Sequence, residues 1–199
     1  MTTANKITIF RFLLIPVFVT FSLYYSQSIQ EGAENVGFRI AALAAFALAA
    51  ISDALDGFIA RRFNQSTPLG KFLDPLADKM LLLAGVLTLS LTGWYAGLPI
   101  WFGVLVIARD AMIMLGWVII RNLVGHVKMN PILTSKICTF LQLSCVCWVL
   151  LDFWSKEPPL GLNILIYAAA AFTVISGVQY VREGSRQLRV AGHTEPDKE

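Results

Sequence analysis

VGFRIAALAAFALAAISDALDGFIA, the segment Val36–Ala60, is almost unbroken apolar sequence, yet it carries Asp53 and Asp56 near its end. A hydrocarbon core of about 30 Å takes roughly 20 helical residues to cross, so the segment reads as a membrane-crossing helix. Comparable runs recur at 7–26, 69–92, 98–121, 131–153 and 160–182, which leaves no room for an aqueous domain in a chain of 199 residues. Composition agrees: 56% of residues are hydrophobic and 15% charged, against about 25% charged in soluble domains. The expected fold is an all-α membrane protein, a six-transmembrane-helix bundle with a cytoplasm-facing polar cavity. It forms one domain over 1–190 and ends in a polar C-terminal tail, 191–199, with the sequence after Arg182 already polar enough to fray.

Basic residues orient the bundle, because loops retained in the cytoplasm carry the excess of Lys and Arg. Lys6, Arg61, Arg62, Lys71, Arg121, Lys128, Arg182, Arg186 and Arg189 gather at one set of helix ends. The other set offers mainly Arg39 and Lys156, accompanied by Glu31, Glu34, Asp152 and Glu157. Both termini are therefore expected in the cytoplasm. A signal peptide is the competing reading of the first segment, but Arg11 and Pro16 interrupt it and no small-residue cleavage site follows. The Ala-rich stretches Ala41–Ala50 and Ala168–Ala171 suit close helix packing in lipid. Cys138, Cys145 and Cys147 lack a C-x-x-C arrangement and read as packing or lipid-facing thiols.

Residues three or four apart share a helix face, so Asp53, Asp56, Gly57 and Ala60 line one stripe, and Asp74 and Asp78 line another on the next helix. The turn-forming connection from Arg61 to Gly70 makes these helices antiparallel neighbours, and four carboxylates converge. Uncompensated at membrane depth they would repel and protonate, so a cation is required. Hard oxygen donors without nearby His or Cys favour Mg²⁺ or Mn²⁺, plausibly two ions, over zinc. Two such ions can clamp a phosphoryl group and its leaving oxygen. Gly57 and Ala60 leave space for a ligand, and Arg61 can pair with phosphate. The structural alternative is that the aspartates cap helices or pair with Arg61, Arg62, Lys71 and Lys79.

The stretch from Asp53 through Asp56, Gly57, Ala60 and Arg61, then eight residues to Gly70, Asp74 and Asp78, fills every position of D-x2-D-G-x2-A-R-x8-G-x3-D-x3-D. It resembles the signature of the CDP-alcohol phosphatidyltransferases. The resemblance implies CDP-diacylglycerol and an alcohol as substrates and CMP as a product. It also implies a homodimer in the inner membrane, with the active site facing the cytoplasm. It makes Asp53, Asp56, Asp74 and Asp78 the metal ligands and Asp78 also the general base. Gly57, Ala60, Arg61 and Gly70 would then surround the CDP group. The opening Asn5, Thr8 and Arg11 is similar to the family's N-x2-T-x2-R and implies CDP contacts from Asn5 and Thr8, with helix capping by Asn5 and snorkelling by Arg11 as alternatives.

Arg109 and Asp110 interrupt the fourth apolar segment and Lys136 enters the fifth, so cations are expected to face an interior cavity able to take an acceptor phosphate. Glycerol 3-phosphate suits such a cavity; internal pairing of Arg109 and snorkelling of Lys136 are the alternative. The segments around Arg109 and from Ser135 to Gln142 resemble the branches of the family that make phosphatidylglycerophosphate or cardiolipin. Arg109-Asp110 and Asn130-Pro131 look somewhat like the cardiolipin-forming branch, in which phosphatidylglycerol is the acceptor, but transfer to glycerol 3-phosphate stays the first reading, by analogy with compact bacterial-type chains of this form. Outside enzymes, a divalent-cation transporter would use intramembrane carboxylates for flux without CMP release. No nucleic-acid partner is expected.

Overall fold

Among the described residues six α-helices follow one another: α1 (Thr3–Gln30), α2 (Val36–Phe63), α3 (Pro68–Leu91), α4 (Ile100–Val124), α5 (Leu133–Leu151) and α6 (Leu160–Gly192). The computed structural model describes residues 3–63, 68–124, 133–152 and 156–192, and side chains over 9–52, 79–116, 118–120, 133–152 and 156–186. No strand occurs among the described residues.

Local chemistry sets the helix ends. After α1, Gly32 adopts φ 72°, while Gly32 N–H donates to the Ile29 carbonyl and Ala33 N–H to the Ser28 carbonyl. This double closure satisfies carbonyls that the helix end would otherwise leave open, and its left-handed residue favours glycine. Asn35 caps the next helix, its Oδ1 accepting from Gly37 N–H at 3.0 Å. Proline stands at helix starts, where its missing N–H costs nothing: Pro68 opens α3, Pro99 precedes α4, and Pro158 and Pro159 precede α6.

Among the described residues α1 packs chiefly on α2 and also on α3; α4 and α5 both reach α3, and α6 closes against α4 and α5. Ala42, Ala45 and Ala49 form the buried stripe of α2, which lets α1 approach closely as the Ala-rich sequence anticipates. Phe18 of α1 and Phe46 of α2 meet at 5.3 Å between ring centroids. Gly85 of α3 lies where α2 and α5 come together; a Cβ there would stand 3.2 Å from Phe46 and 3.1 Å from Val146.

The outer surface is apolar, with Leu13, Leu48, Val104, Leu115, Phe140 and Ile164 all exposed. Among the described residues four helical stretches are long and apolar enough to cross a bilayer: Ile9–Gln30, Ile100–Ile120, Leu133–Leu151 and Leu160–Arg186. The chain is thus a multi-pass membrane protein. Six spans were expected; α2 and α3 offer the shorter apolar stretches Val36–Ser52 and Lys79–Leu91 among the described residues. The polar sequence after Arg182 continues α6 to Gly192 rather than fraying there. The segment is rich in helix-forming residues, and Glu183 and Arg186 pair across one turn at 3.4 Å.

At the helix ends remote from the acidic motif, Arg39 is buried. Its guanidinium donates to the carbonyls of Val149 at 2.8 Å, Leu150 at 3.4 Å and Asp152. Two of these carbonyls lie in the last turn of α5 and the third directly follows it, so an α2 side chain caps α5. Tyr25 and Trp94 stack beside the cation, with ring centroids 5.6 Å and 5.2 Å from its central carbon, and the Tyr25 hydroxyl donates to Glu34 at 2.7 Å.

Candidate active site

The acidic motif lies on the adjoining ends of α2 and α3. Asp53 is ten residues before the end of α2 at Phe63, and Asp78 ten residues after the start of α3 at Pro68. Asp56 is seven residues before the one end, and Asp74 six after the other. At about 1.5 Å per residue, each helix therefore carries one aspartate roughly 15 Å and one roughly 10 Å from the connection. Only residues 64–67 separate the helices, which limits the gap between the ends to about 18 Å. The two aspartates of each helix thus stand at similar residue distances from the connection. Side chains of Asp53, Asp56, Gly57, Ala60, Arg61, Gly70, Asp74 and Asp78 lie outside the described residues, as do those of Asn5 and Thr8. Elsewhere, among the described residues, no group of His, Cys, Asp and Glu could hold a metal ion. The donor set suits a hard divalent cation because all four groups are carboxylates.

Arg11, on α1, is completely buried. A snorkelling arginine keeps its head in water, so burial sets that alternative aside and leaves a cation inside the bundle near its motif-bearing end.

A buried polar centre lies between α4, α5 and α6. Arg109 is 5% exposed. Its Nη1 donates to Asp110 Oδ1 at 2.6 Å, and its Nη2 donates to Ser135 Oγ and Ser176 Oγ, each at 2.7 Å. The Tyr180 ring lies against the guanidinium, 5.7 Å from its central carbon, while Nε has no partner among the described residues. Deeper between α5 and α6, Gln142 Nε2 donates to Thr173 Oγ1 at 3.0 Å and to Cys138 Sγ at 3.3 Å. Thr173 donates back to the Ala169 carbonyl at 2.7 Å.

Arg109 thus faces the interior, whereas Lys136 is exposed. Adjacent helical residues point about 100° apart, so when Ser135 turns to Arg109, Lys136 turns away. Ser135, Ser176 and Tyr180 carried no assigned role in the sequence reading. Their signal is periodic: Ser135, Cys138 and Gln142 recur at helical spacing on α5, and Thr173, Ser176 and Tyr180 do so on α6.

Two apolar grooves run along the α4–α6 face. One, of about 440 Å³, is lined by residues including Leu115, Gly116, Ile119 and Gly184. The other, of about 300 Å³, has Met112, Thr173 and Gly177 in its wall and reaches Arg109. The polar, cytoplasm-facing cavity expected from the sequence involves the motif side chains outside the described residues.

Residues 1–175 match the family model for CDP-alcohol phosphatidyltransferase. A protein of Mycobacterium tuberculosis named probable phosphatidylglycerophosphate synthase is 34% identical over 188 residues, covering 93% of this chain and 82% of that one. CDP-diacylglycerol--glycerol-3-phosphate 3-phosphatidyltransferase of Bacillus subtilis is 29% identical over 94% of this chain and 97% of its own. The protein of that name from Escherichia coli K12 is 32% identical over 92% and 94% respectively. With the signature on adjoining helix ends and the match spanning most of its length, the chain belongs to the CDP-alcohol phosphatidyltransferase family.

Proposed function

We propose that the protein transfers a phosphatidyl group from CDP-diacylglycerol to glycerol 3-phosphate, forming phosphatidylglycerophosphate and CMP in phospholipid synthesis. The observation that carries this reading is the complete eight-position signature, whose aspartates fall at similar residue distances from the connection joining α2 and α3. The names of the relatives support glycerol 3-phosphate as acceptor. Arg109 supports a phosphate-bearing one, because it is a buried, permanently charged fork.

Members of the family use divalent metal ions, and Asp53, Asp56, Asp74 and Asp78 would hold Mg²⁺ or Mn²⁺, two ions in this reading. Ions bound there would supply positive charge against the pyrophosphate oxygens as negative charge moves onto the leaving group. Asp78 accepts the proton of the acceptor hydroxyl. The resulting oxygen attacks the phosphorus that bears diacylglycerol; the bond from that phosphorus to the bridging oxygen breaks, and its electron pair leaves with CMP. Gly57, Ala60, Arg61 and Gly70, with Asn5 and Thr8, hold the CDP group. Arg109 binds the acceptor phosphate, with exposed Lys136 contributing attraction only from the surface.

The lengths of α2 and α3, 28 and 24 residues, are about 42 and 36 Å of helix and support six crossings. The clustering of Lys and Arg supports an inner-membrane orientation with the site facing the cytoplasm. Family membership is the support for a homodimer as the working unit.

An acceptor panel tests the function. Purified protein with CDP-diacylglycerol and Mg²⁺ should release CMP with glycerol 3-phosphate and far less with phosphatidylglycerol, serine or inositol phosphate. CMP release driven by phosphatidylglycerol alone would move the protein to the cardiolipin-forming reaction. Metal flux without CMP release would make it a transporter.

A further inference from the structure

A hydroxyl inside an apolar helix ordinarily donates to the carbonyl four residues back. Thr139 does so to Ser135 at 3.0 Å, Ser144 to Phe140 at 2.8 Å and Thr173 to Ala169 at 2.7 Å. Among the described residues, neither Ser135 nor Ser176 does. From two helices, α5 and α6, each turns its oxygen to one nitrogen of Arg109 and accepts at 2.7 Å.

A guanidinium Nη carries two hydrogens, so the two serines saturate Nη2. Asp110, holding Nη1 at 2.6 Å, supplies the countercharge that a buried cation requires. Nε–H remains without a partner among the described residues, although the side chain is only 6% exposed. Burying a donor unpaired is costly, and an anion reaching the centre would relieve that cost. Each serine, having accepted from Arg109, also retains a hydroxyl hydrogen with no described acceptor.

We propose that Ser135 and Ser176 are positioning residues for the acceptor: they lock the Arg109 guanidinium from two helices so that it receives a phosphate-bearing alcohol. This rests on the reading of Arg109 as the acceptor-phosphate residue. Asp110 keeps the cation in place before the acceptor arrives, and the hydroxyls set which of its edges is offered. The device discriminates among acceptors and leaves CDP-diacylglycerol handling to the acidic motif on α2 and α3.

Steady-state kinetics on the full chain separates this from a merely structural role. Ser176→Ala and Ser135→Ala should each raise KM for glycerol 3-phosphate about 10-fold, near the worth of one charge-assisted hydrogen bond. KM for CDP-diacylglycerol and kcat should stay within about twofold on the same reasoning. Ser176→Thr, which keeps the hydroxyl, should restore KM, whereas Ser176→Val, of the same shape, should not; this pair serves if an alanine variant fails to fold. A parallel change in both KM values and kcat, or an unchanged KM for glycerol 3-phosphate in folded protein, overturns the proposal. Arg109→Lys keeps the two failures apart. If it leaves the glycerol 3-phosphate KM unmoved, the assignment of Arg109 itself fails; if it raises that KM while the serine variants do nothing, only the positioning role fails.

Discussion

Arg109 and Asp110 are neighbours in the chain, yet their side chains close an ion pair of 2.6 Å inside the bundle, with 6% and 10% of their side-chain surfaces exposed. Consecutive helical residues diverge, so the arginine must bend back towards its neighbour, and the serines of α5 and α6 hold it there. Removing one partner of a buried pair strands the other charge. Asp110→Ala is therefore expected to cost about 3 kcal/mol of stability and Asp110→Asn, which keeps an acceptor oxygen, distinctly less. Thermal unfolding of the purified protein in detergent measures both; an unchanged midpoint for Asp110→Ala would remove the pair from any structural role.

Arg39 fastens the opposite end of the molecule. In Arg39→Leu the carbonyls of Val149, Leu150 and Asp152 lose their shared donor, a loss of about 2 kcal/mol or more at the usual cost of unsatisfied buried groups. The acidic motif is remote from this end, so CMP release per folded molecule should hold. A fall in specific activity with stability intact would link Arg39 to the chemistry instead.

Gly85 tests the packing of α2, α3 and α5. With Val146 and Phe46 at 3.1 and 3.2 Å from a Cβ built there, Gly85→Val overpacks the junction and should cost about 2 kcal/mol. Gly85→Ala asks for shifts of only tenths of an ångström and should cost less. Equal unfolding midpoints for wild type and Gly85→Val would contradict the close approach.

Metal dependence and proton acceptance can be read separately. Chelation should abolish CMP release, and Mg²⁺ or Mn²⁺ should restore it. Asp78→Asn should keep the fold and CDP-lipid binding while lowering turnover about 100-fold or more, the usual contribution of a general base. Near-normal turnover would take Asp78 out of that role.

Hydropathy made most of the architecture legible: the expected apolar segment 36–60 falls within α2, Val36–Phe63, and 98–121 largely overlaps α4, Ile100–Val124. It says less about the stretch after Arg182, because polarity argues against a membrane span but not against a helix, and α6 runs on to Gly192. Arg39 looked like an interfacial charge because Tyr25, Trp94 and the end of α5 reach it only through tertiary packing. The acidic motif was readable from local spacing alone. The Arg109 centre was half readable: a charge in an apolar run announces itself, whereas Ser135 and Ser176 look like small packing residues until three helices assemble. Lys136, the more conspicuous neighbour, is exposed.

One assay bears on the whole reading. Purified protein in lipid nanodiscs is given CDP-diacylglycerol, glycerol 3-phosphate and Mg²⁺, and CMP and lipid product are quantified together by mass spectrometry. Wild type should form one phosphatidylglycerophosphate for each CMP, and folded Asp56→Asn should form almost none. Undiminished product from Asp56→Asn, or no CMP from active-grade wild type, would refute phosphatidyl transfer at the adjoining ends of α2 and α3.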